Sequence, residues 1–183
     1  MRTGLSDFLI ETDSRPYALL VSLVVRDACG LPVLESTPAR LLNPPQPVKK
    51  SLSIDPSDWL SWWWGLLGDV ASSRMRQPYT GASEQLVAVV ESTAELKALF
   101  DEAELLSAED RALRVIDEAS RILAQEQNHG LHGVLHVAIL PTQDSQPVFT
   151  GGVLILSHPF LETLDVADCI ATLRTFARQA SGG

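Results

Sequence analysis

The sequence predicts an α+β fold in which about four helices pack on a mostly antiparallel sheet, made from two β-hairpins and a central strand. Short apolar runs bounded by turn residues predict the strands, and segments with apolar residues at helical spacing predict the helices. The two kinds of segment are interspersed along 183 residues, of which 45% are apolar and 20% charged. This composition is typical of one globular domain, so we expect a single domain over residues 1–183.

The first hairpin is predicted over residues 17–34. The run at 17–25, YALLVSLVV, is rich in β-branched residues and favours a strand. Residues 27–30 supply a turn. Residues 31–34 then return as a short strand, which Pro32 confines to the sheet edge because proline has no N–H to donate.

A proline-rich arm is predicted at about residues 36–55. The sequence Pro-Pro-Gln-Pro at 44–47 favours an extended polyproline II path. The segment is therefore either a surface loop or a docking arm, and we expect residues 36–53 to lack regular secondary structure and to be the most mobile internal segment. In a docking arm the contact residues would be Pro44, Pro45, Lys49 and Lys50, with the lysines steering an acidic surface.

A tryptophan-rich helix is predicted from about 56 to 72, because Asp55 is a good N-cap and Pro56 suits the first helical position. All four tryptophans of the chain lie in this helix: Trp59, Trp62, Trp63 and Trp64. One helical face cannot hold them all, so at least one indole should point away from the core. The helix is therefore either a wide core-facing helix with one partly exposed tryptophan or a partner-binding surface. A membrane-interfacial helix is disfavoured because its polar face carries no lysine or arginine.

The middle of the chain is acidic and helical in pattern. Residues 84–91 read as the central strand, and residues 93–127 as two amphipathic helices that restart at Ser107. Eleven acidic and four basic residues give segment 82–128 a net charge of −7. Such a segment forms a solvated face, or it meets a basic partner.

The second hairpin is predicted from residues 131–140 and 148–156, joined by the polar segment 141–147. Gly-Gly at 151–152 indicates a bulge or a close backbone approach. A last amphipathic helix begins near residue 163 or 165.

The histidines are the candidates for a metal or catalytic site. If the second hairpin folds about Asp144, His129, His132 and His158 would gather at its open end, and three imidazoles suffice for zinc. Glycines at 130 and 133 interrupt this stretch, so we expect no tight zinc site. His136 reads as a residue on the face of the sheet. Standard catalytic and nucleotide-binding motifs are absent, and we expect no cofactor.

Charge and cysteine content narrow the function classes. Two cysteines make no disulfide framework, and we expect Cys29 in a turn and Cys169 in the core. A net charge of −9 argues against nucleic acid or anionic membranes as partners. No apolar run reaches the roughly 18 residues of a membrane span, and the N-terminal residues do not read as a signal peptide. We therefore expect a cytoplasmic protein.

The leading hypothesis is a non-catalytic cytoplasmic binding or adaptor protein, acting through the tryptophan-rich helix and the proline-rich arm. Its partner would be another protein or a second copy of itself, and we expect a homo-oligomer because four adjacent tryptophans are hard to bury in a small core. The alternative is a small enzyme or ligand-binding domain that uses the histidines of the second hairpin, with or without a metal.

Overall fold

The computed structural model describes residues 8–13, 16–47, 54–73, 81–92, 104–125 and 133–181. Within these residues the chain forms four strands and six helices. In chain order they are β1 Phe8–Asp13, α1 Tyr17–Ala28, α2 Pro56–Val70, α3 Glu84–Ser92, α4 Glu104–Gln125, β2 Gly133–Leu140, β3 Val148–Thr150, β4 Val153–Ser157, α5 His158–Thr163 and α6 Val166–Ser181.

The four strands form one sheet in the order β1-β2-β4-β3. β1 is parallel to β2, β2 is parallel to β4, and the edge strand β3 is antiparallel to β4. The α+β class is confirmed, but the prediction of a mostly antiparallel sheet is wrong. The two central strands, β2 and β4, are buried along runs of adjacent residues because helices cover both faces, and this pattern is typical of parallel sheets.

The sheet separates two apolar cores. On one face, Ala138, Leu140, Val153 and Ile155 pack with α1, α2 and α3. On the other face, strand residues of opposite parity pack with α4 and α6; they are Phe8, Leu135, Val137, Ile139, Leu154 and Leu156. The result is a helix–sheet–helix sandwich, and successive strand residues enter alternate cores.

The predicted first hairpin is wrong because residues 17–28 form helix α1 and residues 31–34 form no strand. Every residue from 21 to 28 is buried, including Ser22, Arg26 and Asp27. A helix enclosed on all sides has no polar stripe, so its sequence lacks the helical period. Packing then overrides the strand preference of its β-branched residues.

The middle of the chain also differs from its prediction. Residues 84–92 form helix α3 rather than a strand, with Leu86 and Val89 in the core and Ser83 Oγ accepting a hydrogen bond from the Leu86 amide at 3.3 Å. Helix α4 runs without a break across the restart predicted at Ser107. Residues 93–103 lie outside the described residues.

The second hairpin is correct in its strands and wrong in their pairing. Residues 133–140 and 153–157 are strands, but they run parallel. The antiparallel hairpin joins β3 to β4 through Gly151 and Gly152, whose φ angles of 56° and 80° are those that a two-residue turn requires. A Cβ atom on Gly151 would lie 3.0 Å from Leu67 Cβ, which confirms the expected close backbone approach.

Helices α2 and α6 confirm their predictions. Asp55 caps α2, where its carboxylate accepts a hydrogen bond from the Ser57 amide at 2.8 Å. Helix α6 begins at Val166, and its residue Cys169 is buried in the core. Strand β1 and the short helix α5 have no counterpart in the predicted elements. Among the described helices, none combines the length and hydrophobicity that crossing a bilayer requires.

A buried ion pair ties down the described part of the proline-rich segment. Residues 36–47 contain no helix or strand beyond an isolated bridge from Leu41 to Thr142. Arg26 donates to Asp27 Oδ1 at 2.9 Å and to the carbonyl oxygens of Pro38 and Ala39 at 2.6 and 2.8 Å.

Two further contacts complete this arrangement. Asp27 Oδ2 accepts from the Leu41 amide at 2.8 Å, and Arg40 Nη1 lies 3.3 Å from Asp27 Oδ1. We call Arg26, Asp27 and Arg40 the ion-pair cluster. Asp144 adds an anchor, because its carboxylate accepts from the Ala39 amide at 3.0 Å.

Candidate functional site

A second polar cluster forms where three separate segments meet. Glu11 on β1 and His136 on β2 are register partners, and both point to the face that carries α1, α2 and α3. Glu11 Oε2 lies 3.3 Å from His136 Nδ1. Ser73, three residues past the end of α2, donates its hydroxyl proton to the same carboxylate oxygen at 2.6 Å.

Ser73 reaches Glu11 because of the way in which α2 ends. The amides of Ser72 and Ser73 donate to the carbonyl oxygens of Asp69 and Val70, at 3.2 and 2.9 Å. Ser73 has a φ of 50°, the left-handed region, and is the one non-glycine residue with positive φ in the described part of the chain. That conformation costs roughly 1–2 kcal/mol, and a hydrogen bond to a carboxylate contributes about 1.5–3 kcal/mol.

Ser73 and His136 line a cleft of about 440 Å³, and Glu11 lies beside it. Its walls come from the end of α2, the start of β2, the turn between β3 and β4, and the end of α6. The lining residues are Ala71, Ser72, Ser73, Val134, His136, Gly152 and Ala180. His136 is 8% exposed, whereas the Glu11 side chain is 41% exposed, so the acid is open to solvent and the imidazole is largely enclosed.

Exposed large apolar side chains lie on elements that line the cleft or next to them. Val134 lines it and is 40% exposed, and its register partner Leu9 is 54% exposed. On the other side, Trp64 is 40% exposed and lies beside the β3–β4 turn, because a Cβ on Gly151 would be 3.3 Å from its ring. We call the cleft together with Leu9, Trp64 and Val134 the contact face.

The arrangement differs from a Ser-His-Asp triad. A carboxylate beside one nitrogen of a histidine orients the ring, as the acid does in such a triad. In a triad, however, the serine hydroxyl bonds to the histidine, and here the Ser73 proton goes to Glu11. The described residues therefore assemble no serine–histidine pair at this cleft.

The structure places three of the predicted contact tryptophans in the core. Trp59, Trp62 and Trp63 are 0–2% exposed. Trp59 Nε1 donates to the Ser22 carbonyl oxygen at 2.8 Å and its ring stacks on Trp63 at 5.8 Å. The indole N–H groups of Trp62 and Trp63 meet no acceptor in the described structure, so burial of their rings must offset that cost. Trp64 is at the surface.

Neither Pro44 nor Pro45 lines the cleft. Pro44 is exposed and Pro45 is half-buried. Lys49 and Lys50 lie outside the described residues.

The predicted histidine cluster depended on antiparallel pairing, which is wrong. β2 and β4 are parallel, so Gly133 at the start of β2 and His158 after the end of β4 lie at opposite ends of the sheet. His158 is buried. His129 and His132 lie outside the described residues. Among those that are described, no three His, Cys, Asp or Glu side chains come together as metal ligands.

Neither cysteine takes part in the cleft. Cys29 follows α1 and is half-buried, and burial raises the pKa of its thiol. Cys169 is buried, and burial raises its pKa to about 11. Both thiols therefore stay protonated at neutral pH, and neither forms a disulfide.

Sequence reasoning missed Glu11 and Ser73 and placed His136 on the sheet without a role. Glu11 and Ser73 are 62 residues apart, so only the tertiary fold joins them. One signal was available: residues 8–13, FLIETD, are a short apolar and β-branched run that is compatible with a strand.

Comparison of the chain with protein-family models, curated proteins and solved structures found no match.

Proposed function

We propose that the chain is a non-catalytic binding protein of the cytoplasm, and that it contacts another protein or a second copy of itself through the contact face. The observation that carries the proposal is the grouping of three exposed large apolar side chains, Leu9, Trp64 and Val134, around a polar cleft. Apolar residues scattered singly over a surface need no explanation, but adjacent ones are typical of interaction sites.

The composition of the face supports the same conclusion. Exposed tryptophan is enriched at the residues that contribute most to protein–protein binding. Of the four tryptophans, Trp64 is exposed, whereas the other three are buried in the core. Pro44, Pro45, Lys49 and Lys50 remain predicted contacts. A cytoplasmic location fits two cysteines without a disulfide.

Site-specific photo-crosslinking tests the proposal in the source cells. A photoreactive phenylalanine derivative replaces Leu9 in one variant and Leu42 in the control. Leu42 is 39% exposed and lies at the other end of β2, since its amide donates to the Pro141 carbonyl oxygen.

We expect one discrete adduct from position 9, none from position 42, and loss of the adduct when Trp64→Ala is added. An adduct of twice the chain mass would identify a second copy, which sedimentation velocity would then confirm as a homo-oligomer. Equal labelling from both positions, or none from position 9, would contradict the proposal.

A further inference from the structure

We propose that the cleft binds a guanidinium group, carried by an arginine side chain of the partner. This inference rests on the proposed function, because the arginine is supplied by the protein that docks on the contact face. It follows from the direction of each hydrogen bond already made inside the cleft.

The two serine hydroxyls can only accept further hydrogen bonds. Each hydroxyl has one proton to donate. Ser72 donates it to the Gly68 carbonyl oxygen at 2.7 Å, and Ser73 donates it to Glu11 Oε2 at 2.6 Å. A carbonyl oxygen and an ionised carboxylate can only accept, so the direction of both bonds is fixed. The lone pairs of both hydroxyl oxygens remain available.

The two titratable groups, Glu11 and His136, also present hydrogen-bond acceptors. The Glu11 carboxylate accepts hydrogen bonds and does not donate them when ionised. A carboxylate 3.3 Å from His136 Nδ1 favours the tautomer with the proton on that nitrogen, which leaves Nε2 as an acceptor. Among the described residues no other group bonds to this imidazole. Ser72, Ser73 and His136 line the cleft and Glu11 contacts two of them, so acceptors from all four residues lie in or beside it.

A matching ligand must supply several donors and a positive charge. Among the residues that the structure describes, no lysine or arginine lines the cleft beside Glu11. Guanidinium carries five N–H donors in a planar fork, whereas an ammonium group has three donors at one point. The acceptors come from three segments, so the fork suits them better. Apolar walls from Ala71, Val134 and Ala180 would pack against the methylene stem of arginine.

The test is a titration of the ¹⁵N-labelled protein, followed by amide chemical shifts, with two small probes. Arginine amide carries the guanidinium, and citrulline amide has the same length with a neutral urea group. We expect arginine amide to shift the Ser73 and Gly152 amides to saturation, and citrulline amide to bind at least about tenfold more weakly. Tenfold corresponds to about 1.4 kcal/mol, the lower end for a hydrogen bond to a charged group.

Matched variants locate the effect. Glu11→Gln keeps the shape of the side chain and should weaken the binding of arginine amide by about tenfold or more. Glu162→Gln removes an exposed carboxylate on α5 and should leave the binding unchanged. No saturable shift at Ser73 or Gly152, or equal binding of the two probes, would overturn the guanidinium assignment.

A third probe, the blocked peptide acetyl-Gly-Arg-Gly-amide, separates the two sources of the group. Binding of the peptide at the same amides supports a partner arginine. Binding of arginine amide without binding of the peptide would overturn the assignment to a partner's arginine. It would indicate a free small guanidinium compound as the ligand. The crosslinking experiment tests the proposed function separately from the guanidinium site. An adduct at position 9 without any titration response would overturn the guanidinium site and leave the proposed function standing.

Discussion

Two polar clusters lie on the same side of the sheet and differ in how their hydrogen bonds are completed. In the ion-pair cluster, Arg26 and Asp27 have side chains with no exposed surface, and the three bonds of Arg26 end on acceptors from the chain itself. In the cleft, Glu11, Ser73 and His136 offer acceptors, and no lysine or arginine of the described residues lines it. The first cluster completes its hydrogen bonds within the described chain and stabilises the fold, whereas the second leaves acceptors for a donor from a ligand.

The largest expected effect is on stability, from Arg26→Ala. Removing Arg26 leaves Asp27 as a buried charge without its main partner, and the free energy of unfolding should fall by about 3–5 kcal/mol. Urea unfolding followed by tryptophan fluorescence measures this loss, since the Arg26 guanidinium lies 5.8 Å from the Trp59 ring centre. The control is Arg40→Ala, whose side chain is 40% exposed and should contribute about 1 kcal/mol or less. Equal losses of stability in the two variants would contradict the larger contribution assigned to Arg26.

Asp144→Ala should release the proline-rich segment from the fold. Its carboxylate accepts from the Ala39 amide at 3.0 Å and from Thr142 Oγ1 at 2.7 Å, and both donors would lose this partner. We expect a loss of about 1–3 kcal/mol and faster hydrogen exchange at Ala39 and Leu41. Glu11→Gln should leave exchange at these amides unchanged. Fast exchange there in the wild-type protein would show that the segment is a mobile arm.

Two substitutions at Ser73 distinguish the cost of its backbone conformation from the contribution of its hydroxyl. Both Ser73→Ala and Ser73→Gly remove the bond to Glu11, but glycine adopts a φ of 50° without steric cost. The glycine variant should therefore be more stable than the alanine variant by about 1 kcal/mol, as measured by thermal unfolding. Both substitutions should weaken the binding of arginine amide to the same extent. An alanine variant as stable as the glycine variant would contradict the strained turn.

The smallest effect concerns the thiol of Cys29, which follows the end of α1 beside the ion-pair cluster. Burial raises its pKa, so at pH 8 less thiolate is present than in a free cysteine and reaction with a disulfide reagent should be slow. The rate should rise with pH until it passes the raised pKa. Measured in a Cys169→Ala background, the reaction should accelerate with Arg26→Ala and not with Glu11→Gln. Acceleration by both would indicate that the two clusters are coupled.

Local chemistry allowed parts of the fold to be predicted. Helix α2 was predictable because Asp55 and Pro56 mark its start, and α6 because its apolar stripe has the helical period. The strands β2 and β4 were visible as apolar runs. Their pairing was not, since the polar segment 141–147 resembles a hairpin loop, and a β-branched run such as 17–25 reads the same in a strand as in an enclosed helix.

The candidate site was less accessible to prediction than the fold. Of its polar residues, His136 alone drew attention in the sequence, and Trp64 could not be told from its neighbours. Glu11 and Ser73 acquire their meaning from the parallel register of β1 with β2 and from the turn that ends α2. Those are tertiary features, and neither leaves a motif in the chain.

The most direct test of the account compares two matched changes of carboxylate to amide, Asp27→Asn and Glu11→Gln. Each variant is measured for its free energy of unfolding in urea and for its affinity for arginine amide. We predict that Asp27→Asn loses about 3 kcal/mol of stability and binds arginine amide like the wild type, because its charge is buried against Arg26. Glu11→Gln should lose only about 1 kcal/mol of stability, because the amide oxygen still accepts from Ser73 as a neutral group, and should bind about tenfold more weakly. A loss of about 3 kcal/mol in Glu11→Gln with unchanged binding would contradict the account.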